Sequence, residues 1–171
     1  METPVKIIDF HPENSSIFGN LNIEWLEKYF YVEPYDHKIL GDPQSYIIDK
    51  GGYIFFAEIN SKIVGTVALI NEKECYELSK MAVSPEYQGL KIGNKLIDYC
   101  IEFSKQQGWK KIMLYSNTIL KPAINLYFLA IPSPLLFSAV AFNITSFISR
   151  RIFSILPLIS ISLSSLSAAN K

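Results

Sequence analysis

Apolar and polar positions in the first 127 residues follow two spacings, one typical of strands and one typical of helices. Alternation with a period of two predicts a strand, whereas apolar residues three and four apart predict one face of a helix. Residues 4–10 alternate in this way and predict a strand, and further strands are predicted at residues 53–59, 62–70, 75–83 and 110–115, which are short and largely apolar stretches. The polar pair at residues 60–61, between the second and third of these stretches, predicts a hairpin.

Helical spacing occurs between these strands. The first helix is predicted to begin near residue 15 and to end before Pro34, because a residue that precedes proline disfavours helical angles. The segment 33–41 is then predicted to be a connector that leads into a short second helix. A long amphipathic helix is predicted at about residues 90–107, and a last one at about residues 117–127.

The composition indicates one compact domain. A chain of 171 residues is long enough for a hydrophobic core but crowded for two full domains. Its 16 Lys and Arg balance 16 Asp and Glu, so capture of nucleic acid by charge is not expected. Two cysteines are too few for a disulfide framework, and the N-terminus lacks the apolar run of a signal peptide, so we expect a cytoplasmic protein. Since Cys and His do not cluster, no metal site is expected.

Charge is distributed unevenly along the chain. All 16 acidic residues lie between Glu2 and Glu102. After residue 127 the charged side chains are Arg150, Arg151 and Lys171. The sequence therefore predicts a mildly acidic domain at residues 1–127 and an apolar, serine-rich tail at residues 128–171.

Residues 76–97 form the unit around which the rest of the chain is organised. They predict a strand, a glycine-bearing loop at residues 88–93 and the start of a helix. Backbone N–H groups of the loop and of the helix N-terminus converge there, and the helix dipole favours negative charge. This arrangement predicts a site for a phosphate or pyrophosphate.

The same unit resembles the acetyl-CoA-binding motif of the GNAT N-acetyltransferase superfamily, Gln/Arg-x-x-Gly-x-Gly/Ala after a strand. Gln88 and Gly93 match this motif, whereas Lys91 stands where its first glycine belongs. Over residues 4–127, the stretches that carry the resemblance are 63–67, 81–85, 88–93, 114–118 and 123–127. The resemblance implies the GNAT acyl-CoA N-acyltransferase fold, an α/β (α+β) domain with a mixed central sheet flanked by helices. It also implies direct transfer of an acetyl group from acetyl-CoA, the co-substrate, to a primary amine of a small molecule or protein.

The resemblance further implies two groups of cofactor-binding residues. Backbone groups of the strand would pair with the pantetheine arm as another strand would, and amides of the loop would hold the pyrophosphate. The strand residues are Met81, Ala82 and Val83. The loop residues are Gln88, Gly89, Lys91, Ile92 and Gly93. Leu120 stands where the family often has an asparagine, so Asn117 or Asn125 would have to supply that amide.

Two side chains are candidates for proton transfer. Tyr127 holds the position of the tyrosine in the family's Ala-x-x-x-Tyr pattern and would protonate the departing thiolate, unless it is a core or surface tyrosine. Glu77, in the strand before the loop, would act as general base or relay to one, unless it is a solvated carboxylate. The segment 33–41 would border the acceptor entrance, where Asp36 is a candidate contact for a cationic acceptor.

The resemblance ends after Tyr127, and the last two strands of the fold are expected to be missing or replaced. Two uncharged runs, residues 129–148 and 152–169, follow instead. Three explanations stay open: a change of coding frame near residue 128, a membrane-associated tail, or an unusual folded ending. The alternative functions are therefore a catalytically weak or silent acyl-CoA-binding module and a membrane-tethered acetyltransferase-like protein. The acceptor and the oligomeric state, with a homodimer among the options, are left open.

Overall fold

Six strands form one mixed sheet in the computed structural model, which describes residues 4–109, 111–117 and 136–142. The strands are β1 (Lys6–Asp9), β2 (Tyr53–Ile59), β3 (Lys62–Asn71), β4 (Tyr76–Val83), β5 (Lys111–Asn117) and β6 (Leu136–Phe142). They lie in the sheet in this same order. The pairs from β1 to β4 are antiparallel, whereas β4–β5 and β5–β6 are parallel. The predicted mixed sheet is confirmed.

Helices cover both faces of this sheet. The helices of the described residues are α1 (Ser15–Tyr29), α2 (Pro34–Gly41) and α3 (Ile92–Gln106). Short 3-10 turns lie at Pro12–Asn14 and Pro85–Tyr87, and a π-helical turn lies at Gln44–Ile48. We call the side of the sheet covered by α3 the α3 face, and the opposite side the α1/α2 face.

Each face carries its own hydrophobic core. The core on the α3 face includes Phe55, Val67, Leu69, Leu78, Leu96 and Ile97. The core on the α1/α2 face includes Phe18, Ile39, Leu40, Ile54, Phe56 and Ala68. Because β2 and β3 are covered on both faces, their sequences are apolar almost without interruption. Alternation along these strands divides the apolar side chains between the two cores.

The segment predicted to be a connector after α1 is itself helical and forms α2. Pro34 occupies the first position of this helix, where its missing N–H costs no hydrogen bond. A side-chain oxygen of Asp36 accepts a hydrogen bond from the N–H of Glu33 at 3.4 Å. Gly19 allows α1 to approach α2 closely, since a β-carbon there would lie 2.6 Å from the carbonyl oxygen of Leu40. Pro34, which was predicted to end the first helix, therefore starts the second one instead, whereas α1 already ends at Tyr29.

The tail contributes β6, a strand that the sequence pattern does not predict. β6 pairs in parallel with β5 along its whole length, from Leu136 opposite Lys111 to Phe142 opposite Asn117. One strand therefore extends the sheet beyond β5, in the region where strands are expected to be missing or replaced. Most of the helix predicted at residues 117–127 lies outside the described residues, and Asn117 itself ends β5.

Candidate active site

Among the strands that the structure describes, β4 has neighbours on both sides only along its first half. Its parallel register with β5 covers residues 76–78 and stops there. Its antiparallel pairing with β3 continues to Val83. Within the described part of the chain, the edge of β4 that faces β5 is therefore unpaired from Ser79 onward, and the sheet opens at this point.

A β-bulge lies where β4 leaves β5. Thr66 of β3 lies opposite Ala82. Two residues further along β3, Ala68 lies opposite Ser79, so β4 has one residue more than β3 between these pairs. Lys80, inside the bulge, has a left-handed backbone with φ 50°. A bulge bends its strand and redirects side chains, and bulges are common beside functional sites.

The bulge decides which face of the sheet the Lys80 side chain reaches. Ser79 lies opposite Ala68, which belongs to the core on the α1/α2 face. Strict alternation would then place Lys80 on the α3 face. Instead, its Nζ lies 2.6 Å from Oδ1 of Asp36 in α2, and the two side chains are only 11% and 15% exposed. The extra residue thus directs the Lys80 side chain toward α2. Without it, this side chain would point into the apolar core on the α3 face.

Glu77, the candidate base, lies in the paired half of β4. Its partners in register are Ile70 of β3 and Met113 of β5. Since Ile70 belongs to the core on the α1/α2 face, Glu77 lies on the same face as the Lys80–Asp36 pair. The residue is 5% exposed. The structure therefore places a buried carboxylate on the α1/α2 face, immediately before the sheet opens.

The loop after β4 contains the residues predicted to bind a phosphate. Gln88 donates a hydrogen bond from Nε2 to the carbonyl oxygen of Val83 at 3.4 Å, which ties the loop to the end of the strand. Gly89 and Lys91 both have left-handed backbones, with φ 83° and 57°. Lys91 thus adopts the conformation that a glycine would supply more easily, at a cost of roughly 1–2 kcal/mol. The departure from the glycine motif therefore leaves the left-handed turn in place.

The N-terminus of α3 follows this loop directly. α3 begins at Ile92, two residues later than predicted, and no side chain among the described residues caps it. The N–H of Lys95 donates to the carbonyl oxygen of Lys91 at 3.2 Å. The N–H groups of Ile92, Gly93 and Asn94 precede this bond, so they have no acceptor within the helix. Together with the helix dipole, these groups favour an anion.

Gly65 of β3 is a residue at this site that was not singled out in the sequence. A β-carbon there would lie 3.2 Å from Cγ2 of Ile92 and 3.3 Å from the carbonyl oxygen of Ala82. The absence of a side chain therefore lets the start of α3 and the bulged half of β4 pack closely together. Gly65 could have been identified from the sequence, because it lies within residues 63–67, one of the stretches that carry the resemblance.

A groove runs between α1 and the end of β4, and its α1 side was also not predicted. The residues that line it from α1 are Leu21, Glu24, Trp25 and Lys28. From the other side it is lined by Val83, Pro85 and Gln88. Positions 21, 24, 25 and 28 lie on one face of a helix. Their helical spacing is therefore the sequence feature that could have predicted this side of the groove.

Of the remaining candidates, Tyr127 lies outside the described residues, and Asn117 ends β5 with its backbone opposite Phe142. Among the residues that the structure describes, no group of three or more His, Cys, Asp or Glu side chains could hold a metal ion. The helices of the same residues include none with the length and apolar character that a membrane span requires.

Both cysteines are free thiols. Cys100 is fully buried in the core on the α3 face, and this burial raises the pKa of its thiol well above its usual range. Cys75 is partly buried, and desolvation is the main cause that raises its pKa, against the opposing charge of Lys111. The Cys100 thiol is therefore shielded from solvent, whereas Cys75 stays partly accessible.

Known protein sequences match a large part of the chain, including β4, the loop that follows it and α3. The model of the Acetyltransferase (GNAT) family matches residues 20–128. A probable N-acetyltransferase, camello, of Xenopus tropicalis is 32% identical over 87 residues, which cover 49% of this chain and 40% of that protein. The chain spans about half the length, or less, of the curated relatives it matches.

Solved structures share the fold. A GNAT-family acetyltransferase of Staphylococcus aureus Mu50 superposes with a TM-score of 0.66 at 26% identity, covering 73% of this chain and 81% of that protein. An acetyltransferase of Clostridium acetobutylicum, solved with acetyl-CoA, superposes with a TM-score of 0.59 and covers 72% and 88% of the two chains. Its identity is 16%, so this second likeness concerns the fold alone. The predicted fold class is confirmed.

Proposed function

The chain belongs to the GNAT family of acetyltransferases, and we propose that it transfers an acetyl group from acetyl-CoA directly to a primary amine of a small molecule or protein. The observation that carries this proposal is the opening of the sheet at Ser79, which leads within a few residues to the loop and the N-terminus of α3. Acetyl-CoA has an extended arm with a thioester at one end and phosphates toward the other. Such a molecule fits an unpaired strand edge that ends at an anion site.

The pantetheine arm is proposed to lie beside Met81, Ala82 and Val83. The arm contains amide groups, and the open edge of β4 offers backbone N–H and C=O groups that require partners. Binding by addition of a strand to a sheet edge takes its strength from main-chain hydrogen bonds. This assignment therefore depends on the backbone of these residues more than on their side chains.

The pyrophosphate is proposed to bind at the loop and the first turn of α3. The residues assigned to it are Gln88, Gly89, Lys91, Ile92 and Gly93. The left-handed backbones of Gly89 and Lys91 and the uncapped helix N-terminus support this assignment. Asn117 at the end of β5 remains a proposed amide contact near the cofactor.

The chemical step requires a neutral amine and a protonated leaving group. Glu77 is proposed to accept a proton from the acceptor ammonium or amine, directly or through a relay. The nitrogen lone pair then forms a bond to the acetyl carbonyl carbon, the C–S bond breaks with its electron pair on sulfur, and the nitrogen loses a further proton to leave a neutral amide. The Tyr127 hydroxyl is proposed to give a proton to the thiolate, which leaves as CoA, and the tyrosinate takes up the proton that the nitrogen releases.

A catalytically weak or silent acyl-CoA-binding module is the second candidate, and the composition of the tail favours it. We place the boundary between the acetyltransferase domain and the tail after residue 127, where acidic residues are already absent. Tyr127 is then the last residue of the domain, and the tail contributes β6 to the sheet.

A cytoplasmic location is proposed, with tethering through residues 129–169 as the alternative.

Release of free thiol from acetyl-CoA, measured against a panel of small amines and peptides, tests the proposed function. Glu77→Gln and Tyr127→Phe are each expected to lower kcat by about 10²-fold or more, because each removes a proton-transfer group. The dissociation constant for CoA, measured by calorimetry, should stay the same in both variants.

Matched controls are Glu13→Gln and Tyr31→Phe, since Glu13 and Tyr31 are 74% and 69% exposed, and both variants should turn over like the parent chain. Binding of CoA without thiol release for any acceptor would favour the silent module. If CoA does not bind at all, both candidate functions are wrong.

A further inference from the structure

Lys80 and Asp36 form the most shielded ion pair of the described residues. The distance from Nζ to Oδ1 is 2.6 Å, with 11% and 15% of the side chains exposed. The side chains of the other described ion pairs are at least 42% exposed. A shielded pair is held in one geometry and is less screened by salt than a surface pair. This pair therefore suits a fixed link between β4 and α2.

Both oxygens of Asp36 are used at the start of α2. Oδ1 faces Lys80, and Oδ2 accepts a hydrogen bond from the N–H of Glu33 at 3.4 Å. Residues 30–33, just before the helix, belong to neither a helix nor a strand. Asp36 thus joins the first turn of α2 to the bulge of β4 directly after an irregular segment.

The left-handed backbone of Lys80 supports a specific role for this link. A non-glycine residue in this conformation is strained and persists when the surrounding structure requires it. Here the bulge turns the ammonium group away from the apolar α3 face and toward α2. Without the extra residue, strand alternation would bury this charge among apolar side chains.

We propose that Lys80 is a positioning residue, which holds α2, and with it the acceptor side of the site, against β4 where the sheet opens. The effect on catalysis rests on the proposed function. Because Lys80 already pairs with the Asp36 carboxylate, we do not expect Asp36 to bind a cationic acceptor. Lys80 acts through α2 and has no contact with the cofactor in this proposal.

Lys80→Met tests the link, because methionine keeps an unbranched side chain and removes the charge. We expect the KM for the amine to rise about tenfold or more, since a small misplacement of a substrate wall has large effects. The dissociation constant for CoA should stay within about twofold, and Lys80→Arg, which keeps the positive charge, should raise the amine KM less than Lys80→Met does. Lys62→Met is the matched control, because its pair with Glu86 is exposed at 60% and 72%, and it should change neither quantity.

Hydrogen exchange gives a readout that does not require turnover. In Lys80→Met, amide exchange at residues 33–41 should accelerate, whereas exchange in α3 at residues 92–106 should stay the same. Unchanged exchange at residues 33–41, equal losses of amine and CoA affinity, or an amine KM for Lys80→Arg as high as that for Lys80→Met would each overturn the proposal. If Lys80→Met does not fold, Asp36→Asn should show the same changes in the same direction.

The two proposals fail in different ways. If the parent chain binds CoA but acetylates no amine, the enzymatic function is wrong, and exchange at residues 33–41 alone decides whether Lys80 fastens α2. If amines are acetylated and Lys80→Met matches Lys62→Met in every measurement, the positioning role is wrong and the function stands.

Discussion

The two halves of β4 differ in how their neighbours constrain them. Within the part of the chain that the structure describes, residues 76–78 are paired with β3 and with β5, whereas residues 79–83 are paired with β3 alone and contain a bulge. In the first half, Leu78 alternates regularly into the core on the α3 face. In the second half, Lys80 is left-handed and turned to the other face. One strand thus supports the fold with its first half and leaves backbone groups available to a ligand along its second half.

Substitution of a buried residue in the paired half of β4 is expected to have the largest effect on stability. Leu78 is 2% exposed, so Leu78→Ala should lower the free energy of unfolding by about 2–5 kcal/mol through lost burial and the cavity left behind. Urea denaturation followed by circular dichroism measures this change. Leu90→Ala is the matched control, because Leu90 is 51% exposed, and it should unfold close to the parent midpoint. Equal losses in the two variants would contradict the distinction between core and loop.

An intermediate effect is expected at the loop that follows the opened half. Lys91→Gly should raise the free energy of unfolding by about 1 kcal/mol, because glycine adopts the left-handed backbone at φ 57° without the steric cost of lysine. Lys95→Gly, inside α3, should instead lower it by about 0.5–1 kcal/mol. Thermal unfolding of the two variants gives the comparison. A loss of stability in Lys91→Gly would mean that the loop does not need this conformation.

The smallest effect is expected from the exposed pair between Lys62 and Glu86, at 3.3 Å. The hydrogen bond that Lys62 Nζ donates to the Glu86 carboxylate raises the pKa of Lys62 above its ordinary value of 10.5. Any stabilisation is therefore fully present below pH 10.5 and is lost as the pH rises through the folded-state pKa. Lys62→Met should match the parent chain at pH 7 within experimental error, because exposed pairs contribute little. A clear destabilisation at pH 7, or a difference that grows above pH 10.5, would contradict this.

Much of the fold was predictable because burial imposes regular patterns. β2 is found at the predicted residues, 53–59, since apolar side chains are required on both faces of a covered strand. The hairpin to β3 followed from the polar pair at residues 60–61, both of which are left-handed in the structure. A short second helix was predicted after the segment 33–41, whereas α2 lies within this segment. Its position was wrong because Pro34 was interpreted only as the end of a helix, although proline is equally suited to the first position of one.

The site was predictable where its signal is local. The loop and the helix start at residues 88–93 could be located, because a left-handed turn before a helix depends on neighbouring residues. The bulge also left a trace: the apolar positions Leu78 and Met81 are three apart, which breaks the period of two. The Lys80–Asp36 pair left no such trace, since its members are 44 residues apart and meet only through the tertiary fold.

The central claim is that CoA lies along the opened half of β4 with its pyrophosphate at the start of α3. The most direct measurement is an NMR titration of the protein with CoA, in which backbone amide shifts are followed residue by residue. We predict that the largest changes occur at residues 81–83 and 88–93, with small changes in β1 and in β2. Saturation with CoA that leaves residues 81–83 and 88–93 unchanged, or that concentrates the changes on another surface, would contradict the claim.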